Sequence, residues 1–309
     1  MSHRHTEPKI PAVSIVIPTY NHAEYLQQAL HSVIEQTFND WEAIIVNNFS
    51  DDMTLQIIEQ FNEPRFRVIN FRNQGVIAAS RNEGIRNSLA PVIAFLDSDD
   101  TWYKDKLFKC ISEFKNGADV VCHGENWISD SSVPRSIFYG PAKNATYRNL
   151  LFRGNCISTS ATLVNRSVLE QLSGFSENPS FITAEDYELW MRISLATTKF
   201  VFIHEILGEF RRHDKGASSS VDKHLAAEIA VINHHVEQTH PSFIVFTRAR
   251  HRRAKAFYSA GRTHMRGGHN GSALLFFAKA LRQSPIFLRT YVAITLTIIN
   301  LFRRKSTRR

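Results

Sequence analysis

Val92-Ile93-Ala94-Phe95-Leu96-Asp97-Ser98-Asp99-Asp100-Thr101-Trp102 is an apolar run of strand length that ends in three carboxylates within four residues. A continuous apolar run is how a buried parallel strand reads, and open α/β sheets bind ligands at the carboxyl ends of such strands. Carboxylates packed this closely repel one another unless a cation or a hydrogen-bonding ligand offsets the charge. Their oxygens are the hard donors that Mg²⁺ and Mn²⁺ prefer, and magnesium is commonly held by one or two carboxylates together with substrate phosphates. The alternative is a solvated acidic turn in which Asp100 or Thr101 caps a following helix. The flanking chain favours the ligand-binding reading.

Upstream, Val13-Ser14-Ile15-Val16-Ile17 is a β-branched run stopped by Pro18, and reads as a first buried strand. Pro18-Thr19-Tyr20-Asn21 then turns into a helix over residues 22–36, where Leu26, Ala29, Leu30 and Val33 recur at helical spacing. Residues 42–46 form a second strand, ending in Asn47-Asn48-Phe49-Ser50-Asp51-Asp52. A helix over 53–61, a strand over 66–70 and a helix over 75–87 lead back to Val92. Strands alternating with helices of this length predict a parallel sheet with right-handed crossovers. The polar clusters fall at strand carboxyl ends, where such a sheet binds a nucleotide. The chain has neither a P-loop nor G-x-G-x-x-G, which excludes a P-loop NTPase and a standard dehydrogenase.

Downstream, the pattern predicts a strand over 119–122, a loop or hairpin over 124–148, a strand over 161–164, a helix around 167–172 and a last core strand over 200–203. Glu185-Asp186 opens a helix that buries Tyr187, Leu189, Trp190 and Ile193 on one side. Acidic residues in a first turn complement the helix dipole; a carboxylate in a cleft can also take a proton from a hydroxyl.

Four blocks in order resemble a family 2 glycosyltransferase of GT-A fold. They are Ser14-Ile15-Val16-Ile17-Pro18-Thr19-Tyr20-Asn21, then Asn73-x-Gly75 with Ser80-Arg81-Asn82-x-Gly84, then Asp97-Ser98-Asp99-Asp100, and finally Ala184-Glu185-Asp186-Tyr187-Glu188-Leu189-Trp190. The resemblance implies an α/β domain with a mainly parallel central sheet flanked by helices. It also implies inverting transfer of a sugar from a nucleoside-diphosphate donor, with Mn²⁺ or Mg²⁺ on the diphosphate. On this chain it assigns Pro18, Thr19 and Tyr20 to the nucleotide, Asp97 to the ribose, Arg81 to the neighbourhood of the diphosphate and Asp99 to the metal. His213, in Phe210-Arg211-Arg212-His213, would complete the metal or diphosphate site. Asp186 would be the general base, with Glu185 supporting the acceptor. One departure stands out: Asn47-Asn48 replaces the two aspartates usual at that strand end. An Asn side chain still accepts from a pyrimidine N–H and adds a donor of its own. Asn47 and Asn48 are therefore candidate base readers as well as ordinary turn residues.

The 309 residues carry a net charge of +8, but its distribution is uneven. From residue 246 onward there are 15 Lys/Arg and no Asp or Glu, leaving 22 Lys/Arg against 29 Asp/Glu in the rest. An acidic body with a basic tail calls for an anionic partner, and the catalytic motifs give nucleic acid no role. Residues 286–302 are apolar on most sides, with Arg289, Thr290, Thr297 and Asn300 as a narrow polar strip. That is short of the roughly 20 residues of a membrane span, and suits an interfacial helix on anionic lipid. Three scattered cysteines suit a reducing cytosol, and residues 1–9 lack the pattern of a secretory leader. The expected organisation is a disordered start (1–10), a GT-A domain (11–220), a helical extension with a tetratricopeptide-like hairpin (221–285) and an amphipathic basic tail (286–309). The expected enzyme is a cytoplasmic transferase, peripheral on the cytoplasmic face of a membrane. It would use a UDP-sugar and a glycan or lipid-linked acceptor. Two alternatives are an inactive scaffold of the same fold and a sugar nucleotidyltransferase.

Overall fold

The computed structural model describes residues 9–129, 132–213, 216 and 220–306, with only the backbone of 132 and 302–306. The expectations for residues 1–8, for most of the 214–220 loop and for the side chains of the terminal basic cluster lie outside these residues. The chain divides into two compact units, residues 1–146, 156–177 and 189–216 in the first, and 147–155, 178–188 and 217–309 in the second.

The first unit is built on a nine-stranded sheet. Its centre is β1 (Val13–Thr19), every residue buried, between β2 (Trp41–Asn47) and β4 (Val92–Phe95), both parallel to it. Strand β3 (Phe66–Asn70) continues the parallel half beyond β2. Past β4 the sheet becomes mixed: β8 (Thr162–Asn165) runs antiparallel to both β4 and β6 (Val120–Ser129). Strand β9 (Phe200–Arg211) lies parallel to β6, with the two-residue β5 (Thr101–Trp102) on its far edge. Strand β7 (Ser132–Ile137) pairs with β6 as the hairpin expected after residue 124.

Helices α1 (Ala23–Ile34) and α4 (Lys106–Lys115) cover one face, where Leu26, Leu30, Val33, Leu107 and Ile111 meet alternate residues Val13, Ile15, Ile17, Ala43 and Ile45. Between β2 and β3 runs α2 (Thr54–Gln60). Helix α3 (Ile77–Asn87) lies against the opposite side of β1. It approaches so closely that a Cβ at Gly84 would sit 2.4 Å from Val16 Cγ1, which gives the glycine of that block a packing reason. Helix α6 (Arg166–Gln171) follows β8. Helix α7 (Glu185–Ala196) buries Trp190 completely, ring to ring with Phe175.

One local expectation is corrected and one alternative is ruled out. Pro18 does not stop the first strand, which continues through Thr19. Val16 O accepts from Leu96 N on the β4 side; Pro18 faces the same way two residues later, beyond the last β1–β4 pair at Val16 and Phe95. Its missing N–H therefore costs no ladder bond. Nor does Asp100 or Thr101 cap a helix: Thr101 and Trp102 pair with Glu209 and Gly208, and α4 begins at Lys106 with Asp105 as its N-cap residue.

Lys106 is wholly buried, with its ammonium over the Trp102 ring and no hydrogen-bond partner for Nζ among the described residues. Burial lowers its pKa from 10.5 to about 7, although Cys110, Glu125 and Cys122 nearby favour the charge. A base with a depressed folded pKa is penalised fully below that pKa, and the penalty is relieved as pH rises toward its unfolded value. This site therefore makes the fold more stable from pH 7 toward 10.5. Burial also raises Glu125 from 4.5 to about 7, so its own penalty is complete before that window opens. Lys106→Met should raise unfolding free energy at pH 7 by about 1–3 kcal/mol and flatten the rise toward pH 10. Urea unfolding at pH 7 and pH 9 checks both, and an unchanged slope would count against the assignment.

The second unit is helical: α5 (Tyr147–Arg153), α8 (Val221–Glu237), α9 (Phe243–Arg266), α10 (Asn270–Gln283) and α11 (Leu288–Ser306). Helices α9 and α10 form a hairpin, and Gly261 lets them close up, since a Cβ there would lie 2.6 Å from the Phe277 ring. On α11 the polar strip does not face outward as a unit. Thr290, Ala293 and Thr297 are buried, Thr297 Oγ1 donating to Ala293 O at 2.7 Å. Small residues face inward there, and Leu288, Val292, Leu296 and Ile299 stay exposed. Among the described residues no helix is long and apolar enough to cross a membrane.

Candidate active site

The three carboxylates after β4 have three different environments. Asp97 accepts from Arg81 Nη2 at 2.6 Å, and its backbone N–H donates to Ser160 Oγ at 3.1 Å. Asp99 Oδ2 lies 2.9 Å from His213 Nε2, and the Asp99 carbonyl accepts from Arg211 Nε. Asp100 is buried, accepting from Ser160 Oγ at 2.5 Å and from Arg211 N at 2.8 Å. Burial, followed by the charges of Asp99, Glu125 and Asp97, holds the Asp100 carboxyl well above the usual range. Asp100 is thus an internal strut, and Asp97 and Asp99 are the part-exposed members of the cluster. Arg81 is no ordinary surface arginine: its side chain is 4% exposed, held beside Asp97 and the Phe175 ring. The same helix is tied down by Asn82, which donates to Phe175 O at 2.9 Å and accepts from Phe175 N at 2.8 Å.

Around Asp99 the chain gathers aromatic and cationic groups that the sequence motifs do not single out. His22 Nδ1 lies 3.0 Å from Ser98 Oγ, with its ring edge-on to His213 and Tyr25. Burial lowers the His22 pKa, partly opposed by the Asp99 charge. Arg211 reaches Gln28 Oε1 at 2.8 Å. The only sequence signal for His22 is its place just ahead of the first helix.

The strand ends of β1 and β2 are interlocked by side chains. Asn21, at φ 51°, accepts from Asp51 N and donates its own N–H to Ser50 Oγ. Asp52 accepts from Ala23 N at the start of α1 and from Thr54 at the start of α2. Asn47 is completely buried, donating to Asn70 Oδ1 at 2.7 Å and accepting from Ser50 N and Oγ. Asn48, half-buried, accepts from Asn73 N at 3.0 Å. Pro18 is buried, and Thr19 Oγ1 has no hydrogen-bond partner among the described residues. Tyr20 is 53% exposed.

Glu185 and Asp186 belong to the second unit. Glu185 is buried and accepts from Thr183 N at 2.8 Å, whereas Asp186 is part-exposed and accepts from Tyr187 N at 2.7 Å.

A divalent ion would find two side-chain ligands beside Asp97. Two cis ligands of an octahedral ion at about 2.1 Å stand about 3 Å apart, and the Asp99–His213 spacing of 2.9 Å fits that. Among the described residues no group of three or more His, Cys, Asp or Glu side chains could hold a metal. The remaining ligands would be phosphate oxygens and water, as magnesium sites on nucleotides commonly have.

Residues 14–173, just over half of the chain, match the family described as Glycosyl transferase family 2. Among curated relatives, a glycosyltransferase of Bacillus subtilis, TuaG, described as a putative teichuronic acid biosynthesis enzyme, is 28% identical over 68% of this chain and 82% of its own. The Escherichia coli enzyme WfgD, a UDP-Glc:α-D-GlcNAc-diphosphoundecaprenol β-1,3-glucosyltransferase, is 29% identical over 73% of this chain and 87% of its own. Among solved structures, S. aureus TarS (residues 1-349) in complex with UDP-GlcNAc superposes with TM-score 0.64 at 18% identity, covering 91% of this chain and 83% of that one. A Pyrobaculum calidifontis mannosyltransferase in complex with GDP-Man and Mn²⁺ gives TM-score 0.60 at 15% identity, covering 97% and 83%. The chain is a glycosyltransferase of family 2, with a GT-A fold and a C-terminal helical region.

Proposed function

We propose that this enzyme transfers a hexosyl or hexosaminyl group, with inversion and with a divalent metal, from a nucleoside-diphosphate sugar to a hydroxyl of a glycan or lipid-linked glycan in cell-surface polysaccharide synthesis. The observation that carries the proposal is the pair of arrangements at the end of β4, Arg81 with Asp97 and His213 with Asp99, only 2.6 and 2.9 Å apart. Asp97 accepts from ribose hydroxyls, and Arg81 places a planar cation near the diphosphate. Pro18, Thr19 and Tyr20 line the nucleotide, Asn48 reads the base, and Asn47 holds the turn that presents it. Asp99 and His213 would hold Mn²⁺ or Mg²⁺, which when bound would neutralise charge on the departing diphosphate. Asp186 takes the proton of the acceptor hydroxyl as that oxygen bonds the anomeric carbon and the bond to diphosphate breaks; Glu185 supports the acceptor. Displacement in one step inverts the anomeric centre.

Donor and acceptor class draw support from similar proteins: UDP-Glc and a diphosphoundecaprenol-linked sugar for WfgD, and UDP-GlcNAc in the TarS complex. A UDP-sugar is accordingly the first donor to test. Nucleotide release across a panel of UDP- and GDP-sugars with Mn²⁺ tests the proposal. Metal-dependent release from one donor supports it; absence of both release and nucleotide binding from every donor would hand the lead to an inactive scaffold.

Helix α11 supports a peripheral place on an anionic membrane. Leu288, Val292, Leu296 and Ile299, at 75%, 62%, 46% and 42% exposure, form one uncovered apolar stripe, and the chain around it carries only basic charge from residue 246 onward. Apolar burial in the headgroup region and attraction of Lys and Arg to anionic lipid act together in such a helix. The three unpaired cysteines suit the cytoplasmic face. The protein should float with phosphatidylglycerol vesicles, release at high salt, and lose most binding on Val292→Glu with Leu296→Glu. Equal flotation of that double variant would remove α11 from the membrane reading.

A further inference from the structure

The segment that carries Asp186 is fastened at four points to helices of its own unit. His224 Nδ1, on α8, lies 2.9 Å from Thr183 O and 3.3 Å from Thr183 Oγ1. A carbonyl only accepts, so the proton of His224 sits on Nδ1. Thr183 stands at φ 81°, a conformation that a β-branched residue adopts only under constraint. Nearly three turns further along α8, the His234 ring packs on Phe181 at 5.4 Å. His235 Nε2 then lies 3.8 Å from Glu188 Oε1, both groups buried, with the Tyr147 hydroxyl against the other side of the ring. From α9, the buried Arg252 pairs with Glu228 at 2.5 Å and lies 5.8 Å from the Tyr187 ring. Tyr187 in turn donates to Leu150 O at 2.6 Å. Ala184, Glu185, Tyr187 and Glu188 are all buried by this arrangement, and Asp186 alone in that turn is left part-exposed.

We infer that α8 and α9 are part of the catalytic apparatus, with His224 as a positioning residue that fixes the strained Thr183 turn and through it the direction of the Asp186 carboxylate. The inference rests on the reading of Asp186 as general base. A misplacement of about 1 Å at a reacting group can lower rate by about 10²-fold, and the Thr183 carbonyl is only three residues from Asp186. Removing the side-chain donor at the Thr183 carbonyl lets the strained turn relax, and the carboxylate it aims moves with it.

The test is a set of full-length variants assayed for donor turnover as nucleotide release, with nucleotide affinity and thermal melting measured in parallel. Asp186→Asn is measured first: wild-type turnover in that variant overturns the general-base reading itself. If it is impaired, His224→Ala should lower kcat by about 10- to 100-fold, with donor KM and nucleotide Kd within about twofold. His224→Asn, which keeps a donor near the Nδ1 position, should recover most of the loss. In the Asp186→Asn background His224→Ala should cost nothing further. Unchanged kcat in His224→Ala, equal losses in both backgrounds, or a matching loss of nucleotide affinity would each overturn the inference. Should His224→Ala fail to fold, Arg252→Lys carries the same comparison, because it keeps the charge facing Glu228 while altering support of Tyr187.

Discussion

Asp186→Asn is expected to lower turnover by about 10²–10⁴-fold, the range of general acid–base catalysis, with donor affinity within about twofold. Asn has nearly the shape of Asp and can keep the contact with Tyr187 N, so the change removes proton affinity rather than packing. A sugar hydroxyl is a poor nucleophile until its proton has somewhere to go, and an amide cannot take it. The loss should fall on kcat, because Asp97, Arg81 and Asp99, proposed to hold the donor, are untouched. Steady-state nucleotide release with direct titration of the nucleotide separates these effects. A parallel fall in affinity and kcat would point instead to a structural role for this carboxylate.

Asp99→Asn should lower turnover by several kcal/mol in barrier, about 10²–10⁴-fold, and remove its dependence on Mn²⁺. With no third His, Cys, Asp or Glu ligand within reach among the described residues, loss of Asp99 leaves His213 as the single side-chain ligand. A diphosphate without its cation is a poor leaving group, so the activity and its metal dependence should be lost together. Titration of activity with Mn²⁺ in both proteins checks this; a variant that keeps a normal metal response would place the ion elsewhere.

Much of the first unit is legible because β1, β2 and β4 are buried at every residue and so read as apolar runs. The 66–70 strand and the helices at 22–36 and 53–61 lie within a few residues of their expected bounds. The errors come where a local signal is overruled by register. Pro18 looks like a stop, but the β4 ladder has already ended on its side. Asp100 and Thr101 look like a cap, yet Trp102 is drawn into the sheet edge, where its N–H donates to Ser32 Oγ and its indole donates to Ser160 O. No local pattern contains those partners. The site shows the same division. Asp97, Asp99 and Arg81 are marked by their motifs, and the structure gathers them. His22 carries no such mark, because its meeting with His213 spans residues far apart in the chain. The clasp of His224, His235 and Arg252 on residues 181–188 is equally invisible, since ordinary surface helices also carry histidines and arginines. Asn47, where the chain departs from the usual aspartate, uses its side chain to hold Asn70 and Ser50, partners that lie outside its own strand.

The most direct measurement is calorimetric titration of UDP into the wild-type enzyme and into Asp99→Asn, each with and without Mn²⁺. Binding to the wild type should tighten at least about tenfold with the metal, from the charge it neutralises on the diphosphate, and Asp99→Asn should show no such gain. Metal-independent UDP binding that is equal in the two proteins would contradict a metal–diphosphate site at the end of β4.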